Sequence, residues 1–391
     1  MSTQFISEYS KNLKKSEIQE ALQRSVSPDI ISFALGMPDT SLLPLAKYKE
    51  AFEAVISSSC LQYSPPLKTL RTQIVTLMRE RQVLCSENQV FLTSGAQQAM
   101  LLISKLLISK GDNVIIDEAT YPGFIQIAKS LEANLIPIPV DLKKGIIVGE
   151  LEKKLKIPDK PKFIYTIPDG HNPLGISLSK RKRIELIDIA QSYKIPLVED
   201  DAYGFINYEH SESPLRAYCD QSVFYIGSFS KILSPATRIG WLIVPEYLIE
   251  KLEILKEGMD INTATLAQYI MSTYIDMKHL NTHLSIIRNH YKEKRNIMVE
   301  ALRKYIPEMQ FNIPSSGFFI WGMLPDNIKI DRVFKQALEV QKVSFLPGTA
   351  FTLDKKSNLA NCLRLSFAFC HTSLLETGIK RLRDAILESM K

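Results

Sequence analysis

The feature that most constrains the fold of this chain is an alternation of short apolar runs and longer amphipathic stretches between Gln89 and Val244. The runs VFLT, NVIID, FIYTI, PLVED and VFYIG have the length of buried strands, and the stretches between them have apolar residues at helical spacing. Strands that alternate with helices in this way form crossover units on a mostly parallel sheet, with helices on both faces. The sequence therefore predicts an α/β fold.

The residues from about His283 onward are organised differently. A long helical stretch precedes apolar runs around FFIWGML and LRLSFAF, a Leu-Pro-Gly turn and a closing amphipathic helix, which together predict a smaller α+β domain. We divide the chain into an N-terminal arm that also contributes to the small domain (1–45), a large domain (46–280) and a small C-terminal domain (281–391). A chain of 391 residues can bury most of its apolar surface in such a fold.

Composition argues against several classes of partner. The 48 Lys+Arg and 42 Asp+Glu residues give a net charge of +6, a small imbalance for this length, so we expect neither nucleic-acid nor membrane binding. The five cysteines are scattered and form no CxxC pair, which disfavours a disulfide framework or a zinc site. The N-terminus has no apolar core of signal-peptide length, and Lys105 interrupts the most apolar run. We therefore expect a cytoplasmic protein.

Polar groups follow several of the predicted strands. Lys231 lies in a loop between two apolar runs, VFYIGSFSKILSPATRIGWLIV, where desolvation can lower the pKa of the amine and make it a nucleophile. The turn Ser94-Gly95-Ala96-Gln97 opens a helix directly after a strand, and such a helix start can bind a phosphate. In open α/β sheets, ligands bind beyond the carboxyl ends of the strands. These groups are therefore candidates for one site.

Other polar residues admit more than one interpretation. Asp200 and Asp201 end the strand PLVED, where one carboxylate can hold a ring nitrogen protonated or merely cap a turn. Asn172 can donate to a phenolate oxygen or shape its loop. Arg364 lies inside the apolar run LRLSFAF and needs an anion, which a substrate carboxylate would supply. His171 lacks a second ligand, so we expect it to be a bystander.

The segment SFSKILSPATRIGW, from Ser228 to Trp241, resembles the lysine loop of fold-type I, pyridoxal-phosphate-dependent aminotransferases of class I/II. The similarity runs nearly end to end, through FALGMPDTSLLP, LQYSPPLKTLR, LTSGAQQAM, DEATYPGF, VEDDAYG, SSGFFIWG and LPGTAF. Within the family, the chain looks most like the α-aminoadipate and kynurenine aminotransferase branch. The resemblance implies a mostly parallel seven-stranded sheet in a cofactor-binding large domain, and a homodimer with the active site at the subunit interface.

The resemblance also implies a reaction and the residues that perform it. An amino group would move from an α-amino acid to a 2-oxo acid by a ping-pong mechanism through pyridoxamine phosphate. Lys231 would bond to the aldehyde of pyridoxal 5′-phosphate and carry the proton between the substrate Cα and the cofactor. Asp200 would pair with the pyridinium nitrogen, Tyr203 and Asn172 would hydrogen-bond the ring hydroxyl, and Tyr121 would stack on the ring.

The remaining implied roles concern the phosphate and the substrate. Arg364 would bind the substrate α-carboxylate, and Gly36 would lie against the substrate. The phosphate would be held by Ala96, Gln97, Ser228, Ser230, Arg238 and, from the other subunit, Tyr63.

The chain departs from the family pattern at a few positions and leaves two alternative functions. Leu35 stands where the family usually has glycine, Leu174 replaces a threonine, and Ala236-Thr237 replaces Gly-Leu. These departures bear on the substrate more than on the reaction class. A lyase acting at Cα or Cβ would use the same residues. The sensor domain of a transcription regulator would need a DNA-binding domain ahead of Phe33, and that stretch is too short and insufficiently basic to hold one.

Overall fold

The computed structural model describes residues 5–6, 27–57 and 59–391. The predicted N-terminal arm before residue 27 therefore lies outside the described residues, apart from Phe5 and Ile6. The strands are β1 (Ile31–Ser32), β2 (Val90–Thr93), β3 (Asn113–Asp117), β4 (Asn134–Ile138), β5 (Val140–Asp141), β6 (Gly145–Ile146), β7 (Ile164–Thr166), β8 (Leu197–Asp200), β9 (Val223–Ser228), β10 (Gly240–Ile243), β11 (Gln310–Phe311), β12 (Phe319–Met323), β13 (Val343–Ser344), β14 (Leu346–Pro347) and β15 (Cys362–Ser366).

The α-helices of the described residues lie between and after these strands. They are α1 (Leu45–Val55), α2 (Lys68–Glu80), α3 (Ala96–Leu107), α4 (Pro122–Ser130), α5 (Val148–Leu155), α6 (Lys180–Ser192), α7 (Leu215–Tyr218), α8 (Ile249–Asp260), α9 (Thr265–Asp276), α10 (Leu280–Tyr305), α11 (Ile330–Glu339) and α12 (Leu375–Ser389). In this part of the chain, no helix is both long and apolar enough to cross a lipid bilayer.

The central sheet has seven strands in the order β2-β10-β9-β8-β7-β3-β4. β10 runs antiparallel to β2 and β9, and the other neighbours are parallel. Successive residues of β8 face opposite apolar clusters, since Val198 belongs to the cluster of α3 and α4 and Leu197 to that of α5 and α6. The predicted mostly parallel, seven-stranded sheet with helices on both faces is confirmed.

A second, four-stranded antiparallel sheet has the order β11-β12-β15-β14. The C-terminal helices α11 and α12 pack against each other, and α12 also packs against α10. Near the chain start, β1 pairs in parallel with β13, with Ile31 opposite Val343. This pairing brings residues 31–32 to the C-terminal part of the chain. The domain boundaries at 45/46 and 280/281 stay a prediction.

The local sequence explains how α2 and α3 form. α2 buries Leu70, Ile74, Leu77 and Met78, which recur at helical spacing on its core face. α3 begins directly after β2 through Gly95, whose φ of +79° lies in a region that glycine adopts without strain. The sharp turn at Gly95 places the start of α3 at the edge of the central sheet where β2 ends.

Candidate active site

A cavity of about 460 Å³ lies beyond the carboxyl ends of the central strands and is lined by residues of both main sheets. All of the predicted site residues except Tyr63 line it: Gly36, Ala96, Gln97, Tyr121, Asn172, Asp200, Tyr203, Ser228, Ser230, Lys231, Arg238 and Arg364. Residues that are far apart in the sequence thus meet in one place. This position agrees with the general location of ligand sites in open α/β sheets.

Lys231 projects into the cavity from the loop that follows β9. The loop is held by Phe229, which packs on Trp241 with ring centroids 4.9 Å apart, and by a hydrogen bond from the Ser230 backbone N–H to Ser228 Oγ at 3.1 Å. Lys231 Nζ donates to the Gly36 carbonyl oxygen at 2.8 Å. Burial lowers the pKa of Lys231 to about 8, and nearby arginine charges act in the same direction. The amine is therefore a usable nucleophile and base near neutral pH.

Asp200 is the last residue of β8 and presents one free carboxylate oxygen. Its Oδ2 accepts a hydrogen bond from Tyr165 Oη at 2.6 Å, whereas its Oδ1 is buried without a hydrogen-bond partner among the described residues. Burial raises the pKa of Asp200 to about 6, and the Tyr165 hydrogen bond opposes this shift. A buried acceptor without a partner is costly. A positively charged nitrogen in the cavity would satisfy it.

The neighbouring carboxylate, Asp201, is paired within the protein through one oxygen only, since its Oδ1 has no hydrogen-bond partner among the described residues. Its Oδ2 accepts hydrogen bonds from Arg81 and, at 2.7 Å, from Tyr225 Oη. Arg81 also bonds to Asp169, which is paired in turn with Arg183. Asp201 is thus part of a buried charge network that does not line the cavity. The residue pattern alone left open which carboxylate faces the site, and the geometry places Asp200 there.

One end of the cavity combines an uncapped helix start with a guanidinium. α3 starts at Ala96 with Gly95 as its N-cap, and no side chain caps this start. Arg238, which follows the Lys231 loop, donates from Nη2 to the Ser94 carbonyl oxygen at 2.8 Å. A Cβ at position 95 would lie 2.6 Å from the same Nη2, so only glycine permits this approach. An uncapped helix start beside a guanidinium is a favourable place for a phosphate.

Arg364 lies on β15 with its guanidinium between two aromatic rings. Its centre lies 4.2 Å from the Phe319 centroid and 5.0 Å from the Phe351 centroid. It donates from Nη1 to Asn172 Oδ1 at 2.8 Å and from Nη2 to the Ala34 carbonyl oxygen, while its Nε has no partner in the described structure. Burial lowers its pKa to about 10, so it stays charged at neutral pH. A substrate carboxylate fits this environment.

Two tyrosines supply hydroxyl groups to the cavity wall. Tyr121 precedes α4 and donates to Gln97 Oε1 at 3.3 Å. Tyr203 packs edge-on against Phe318 and Phe319, with centroids 5.3 and 5.5 Å away. Burial raises the pKa of both phenols, so they remain protonated at physiological pH. Each can therefore donate a hydrogen bond.

Two residues singled out from the sequence lie elsewhere. Tyr63 is 84% exposed and lines a separate surface cavity with Ile261 and Asn262. His171 is buried, and its Nε2 lies 3.1 Å from Asp117 Oδ2. Across the described ranges, no cluster of histidine, cysteine and carboxylate side chains could hold a metal ion.

Of the apolar residues that form the cavity wall, sequence reasoning pointed only to Leu35. Leu35, Met37, Phe319 and Leu346 line the cavity together with Met100. Phe319 lies in an apolar run that predicts only a buried strand. The alternation of side chains along a strand does not show which face of the strand contacts a ligand. Tyr165 was missed for the same reason. The apolar run FIYTI predicts a buried strand but does not indicate that the Tyr165 hydroxyl contacts Asp200.

Comparison with known proteins agrees with the fold. The model of the family described as aminotransferase class I and II matches residues 28–382. Aromatic-amino-acid aminotransferase 1 of Thermococcus litoralis is 34% identical over 400 residues, which cover 99% of this chain and 95% of that protein. These matches show the family: the chain belongs to the class I and II aminotransferases, and it is an aminotransferase.

Solved structures extend the similarity to three dimensions. The kynurenine aminotransferase of Pyrococcus horikoshii, solved in complex with PMP, superposes with a TM-score of 0.93 at 33% identity, covering 99% of this chain and 98% of that one. The α-aminoadipate aminotransferase of Thermus thermophilus, complexed with N-(5′-phosphopyridoxyl)-L-leucine, gives a TM-score of 0.91 at 28% identity, with coverage of 100% and 99%. Both show the same fold over the full described chain.

Proposed function

We propose that this aminotransferase uses pyridoxal 5′-phosphate to move an amino group from an α-amino acid to a 2-oxo acid in a ping-pong cycle. The observation that carries the proposal is the meeting of four groups in one cavity. They are the amine of Lys231, the free oxygen of Asp200, the uncapped start of α3 with Arg238, and the guanidinium of Arg364. The PMP and phosphopyridoxyl ligands of the two solved relatives support it.

The residues present fit this cofactor. The start of α3, Ser228, Ser230 and Arg238 would hold the phosphate, and Asp200 Oδ1 would accept from the ring nitrogen. Asn172 uses its Oδ1 to accept from Arg364, so its side-chain NH₂ is left to donate to the ring hydroxyl together with Tyr203. Tyr121 would cover the ring. Asp200 Oδ1 then gains the hydrogen-bond partner that it lacks.

The bound cofactor supplies a covalent link to the substrate nitrogen and a ring that accepts electrons from Cα. Arg364 binds the α-carboxylate and so orients the bond between Cα and its hydrogen. Lys231 removes the proton from Cα and returns a proton later, because its lowered pKa leaves neutral amine available near pH 7. The charge of Asp200 keeps the ring nitrogen protonated.

We further propose that apolar or aromatic amino donors are preferred to dicarboxylic ones. Of the described residues that line the cavity, the cations are Lys231, Arg238 and Arg364, and each has a role already. The rest of the wall that faces the substrate includes Leu35, Met37, Phe319 and Leu346. A second substrate carboxylate placed against these side chains would lose water without gaining a partner.

We also propose a homodimer in which Tyr63 completes the partner's site. Tyr63 and its neighbours Leu61 and Ile261 are large side chains left mostly exposed in the single chain. Mixing Tyr63→Ala with Lys231→Ala protein tests this arrangement. If Tyr63 acts across the interface, mixed dimers regain one intact site, whereas neither parent has one. No recovery of activity on mixing would contradict the proposal.

We place the protein in the cytoplasm. All five cysteines are free, and four of them are buried. Free thiols in these numbers suit a reducing compartment. Cell fractionation with an antibody tests this assignment.

Purified protein supplied with pyridoxal 5′-phosphate tests the proposed reaction. We expect a near-visible absorption band that an amino donor bleaches and a 2-oxo acid restores, with the matching new amino acid formed in equal amount. Lys231→Ala should abolish the transfer. Release of ammonia and a 2-oxo acid without any acceptor would instead indicate a lyase.

A further inference from the structure

A tyrosine that does not line the cavity stands directly behind Asp200. We propose that Tyr165 is a positioning residue: its hydroxyl holds Asp200 Oδ2 so that Oδ1 alone is presented to the ring nitrogen of the cofactor. This inference rests on the proposed function. The observation that supports the inference is the 2.6 Å hydrogen bond from Tyr165 Oη to Asp200 Oδ2, with Oδ1 left unpaired in the described structure.

The strand register brings the two side chains together. β7 lies beside β8, and Tyr165 is opposite Val198, two residues before Asp200. Because side chains alternate along a strand, Tyr165, Val198 and Asp200 share one face of the sheet. This is the face that packs against α3 and α4. The hydroxyl therefore reaches the carboxylate from the neighbouring strand, on the same side as the cavity.

Packing fixes the ring of Tyr165. The ring is fully buried and stacks on Phe124 with centroids 3.7 Å apart and planes at 1°. Its hydroxyl also lies 3.6 Å from the sulfur of Met100, a weak acceptor. The Asp200 carboxylate is thus the one strong acceptor for this hydroxyl among the described residues. A rigid donor of this kind restricts the rotation of the carboxylate and favours its charged form.

The sheet contains a matched pair that serves as a control. On the other side of β8, Tyr225 of β9 is opposite Glu199, and its hydroxyl donates to Asp201 Oδ2 at 2.7 Å. Tyr225 is also fully buried. Asp201, however, does not line the cavity and is paired with Arg81. Removing either hydroxyl deletes one buried hydrogen bond to a carboxylate, and Tyr225→Phe also deletes a hydrogen bond from Arg81 Nη1 at 3.2 Å. Only one of the two carboxylates faces the cofactor.

The test compares Tyr165→Phe with Tyr225→Phe. The first readout is the dissociation constant of pyridoxamine 5′-phosphate, measured by fluorescence titration. We expect about tenfold weaker binding for Tyr165→Phe and a change below about twofold for Tyr225→Phe. Without the Tyr165 hydrogen bond, which favours the charged form of Asp200, the carboxylate rotates more freely and must give up a proton before it pairs with the ring nitrogen. Thermal unfolding of both variants reports the structural cost, which we expect to be at least as large for Tyr225→Phe, since its hydroxyl also accepts from Arg81.

The second readout is a pH titration of the absorption band of the protein loaded with pyridoxal 5′-phosphate. The other charged or ionisable groups near Asp200 are Tyr121, Tyr203, His171, Asp201 and Lys231. These groups are the same in the wild-type protein and in both variants. The midpoint reports loss of the proton from the nitrogen that joins Lys231 to the cofactor, and positive charge on the ring makes this proton easier to lose. A loosened Asp200 holds less positive charge on the ring, so we expect the midpoint to move to higher pH in Tyr165→Phe. The midpoint of Tyr225→Phe should match the wild type.

Equal behaviour of the two variants in both readouts would overturn the inference and leave the proposed function intact. A wild-type protein that binds no pyridoxal 5′-phosphate would overturn both. If Tyr165→Phe does not fold, a crystal structure of the wild type with pyridoxamine 5′-phosphate decides the matter. One oxygen of Asp200 must then lie on Tyr165 Oη and the other on the ring nitrogen, and a carboxylate that meets the ring nitrogen without a hydrogen bond from Tyr165 refutes the assignment.

Discussion

Replacement of Gly95 by alanine should weaken both the fold and cofactor binding. Gly95 has φ +79°, and a Cβ there would lie 2.6 Å from Arg238 Nη2 and 3.0 Å from its Cζ. The backbone conformation costs a residue with a Cβ about 1–3 kcal/mol. In addition, the guanidinium must move away from the start of α3. The phosphate then loses one charge-assisted contact with Arg238, which is worth about 1.5–3 kcal/mol. This loss predicts a roughly 10- to 100-fold higher Kd for the cofactor.

Gly111→Ala is the matched control for this substitution. Gly111 has φ +84°, and a Cβ added there meets no atom within 4 Å. Both variants therefore carry the cost of a positive φ, but only Gly95→Ala disturbs Arg238. We would measure Tm by calorimetry and the Kd of pyridoxamine 5′-phosphate by titration. Equal Kd values for the two variants would refute the assignment of this end of the cavity to the phosphate.

Other substitutions and conditions test the remaining roles. Arg364→Met should lower kcat/KM for amino acids roughly 100-fold or more by removing the carboxylate contact. Cofactor Kd should rise less than about tenfold, because Asn172 loses the hydrogen bond that orients it; a loss of cofactor affinity as large as the loss in kcat/KM would contradict this role. The rate at which apoprotein captures pyridoxal 5′-phosphate should rise with pH around a midpoint near 8, since the pKa of Lys231 is lowered to about 8; a midpoint near 10 would indicate a solvated lysine. A panel of amino acids should show apolar donors at least about tenfold ahead of dicarboxylic ones in kcat/KM, and the opposite order would place a further cation in the site.

The sequence predicts much of the central sheet and of the polar site because both leave local signals. Apolar runs of strand length alternate with amphipathic stretches, and this pattern is enough to predict crossover units. Lys231 and Arg238 lie in a polar loop between two such runs, and charged side chains in that position indicate a functional site. The start of α3 follows a small-residue turn that the sequence shows directly.

Other parts of the site depend on long-range geometry. Asp200 and Asp201 are adjacent and chemically identical, and only the packing of β8 between β7 and β9 decides which one meets the cavity. Phe319 and Tyr165 belong to buried strands whose two faces look alike in sequence. Tyr63 is exposed in the single chain, so its proposed role depends on a second subunit.

The most direct test of the central claim is to identify the residue that becomes covalently attached to the cofactor. Protein loaded with pyridoxal 5′-phosphate is reduced with borohydride, digested and mapped by mass spectrometry. We predict that the phosphopyridoxyl mass is found on the peptide that contains Lys231, and that Lys231→Ala protein carries none. Labelling of a different lysine, or equal labelling of many surface lysines, would contradict the account.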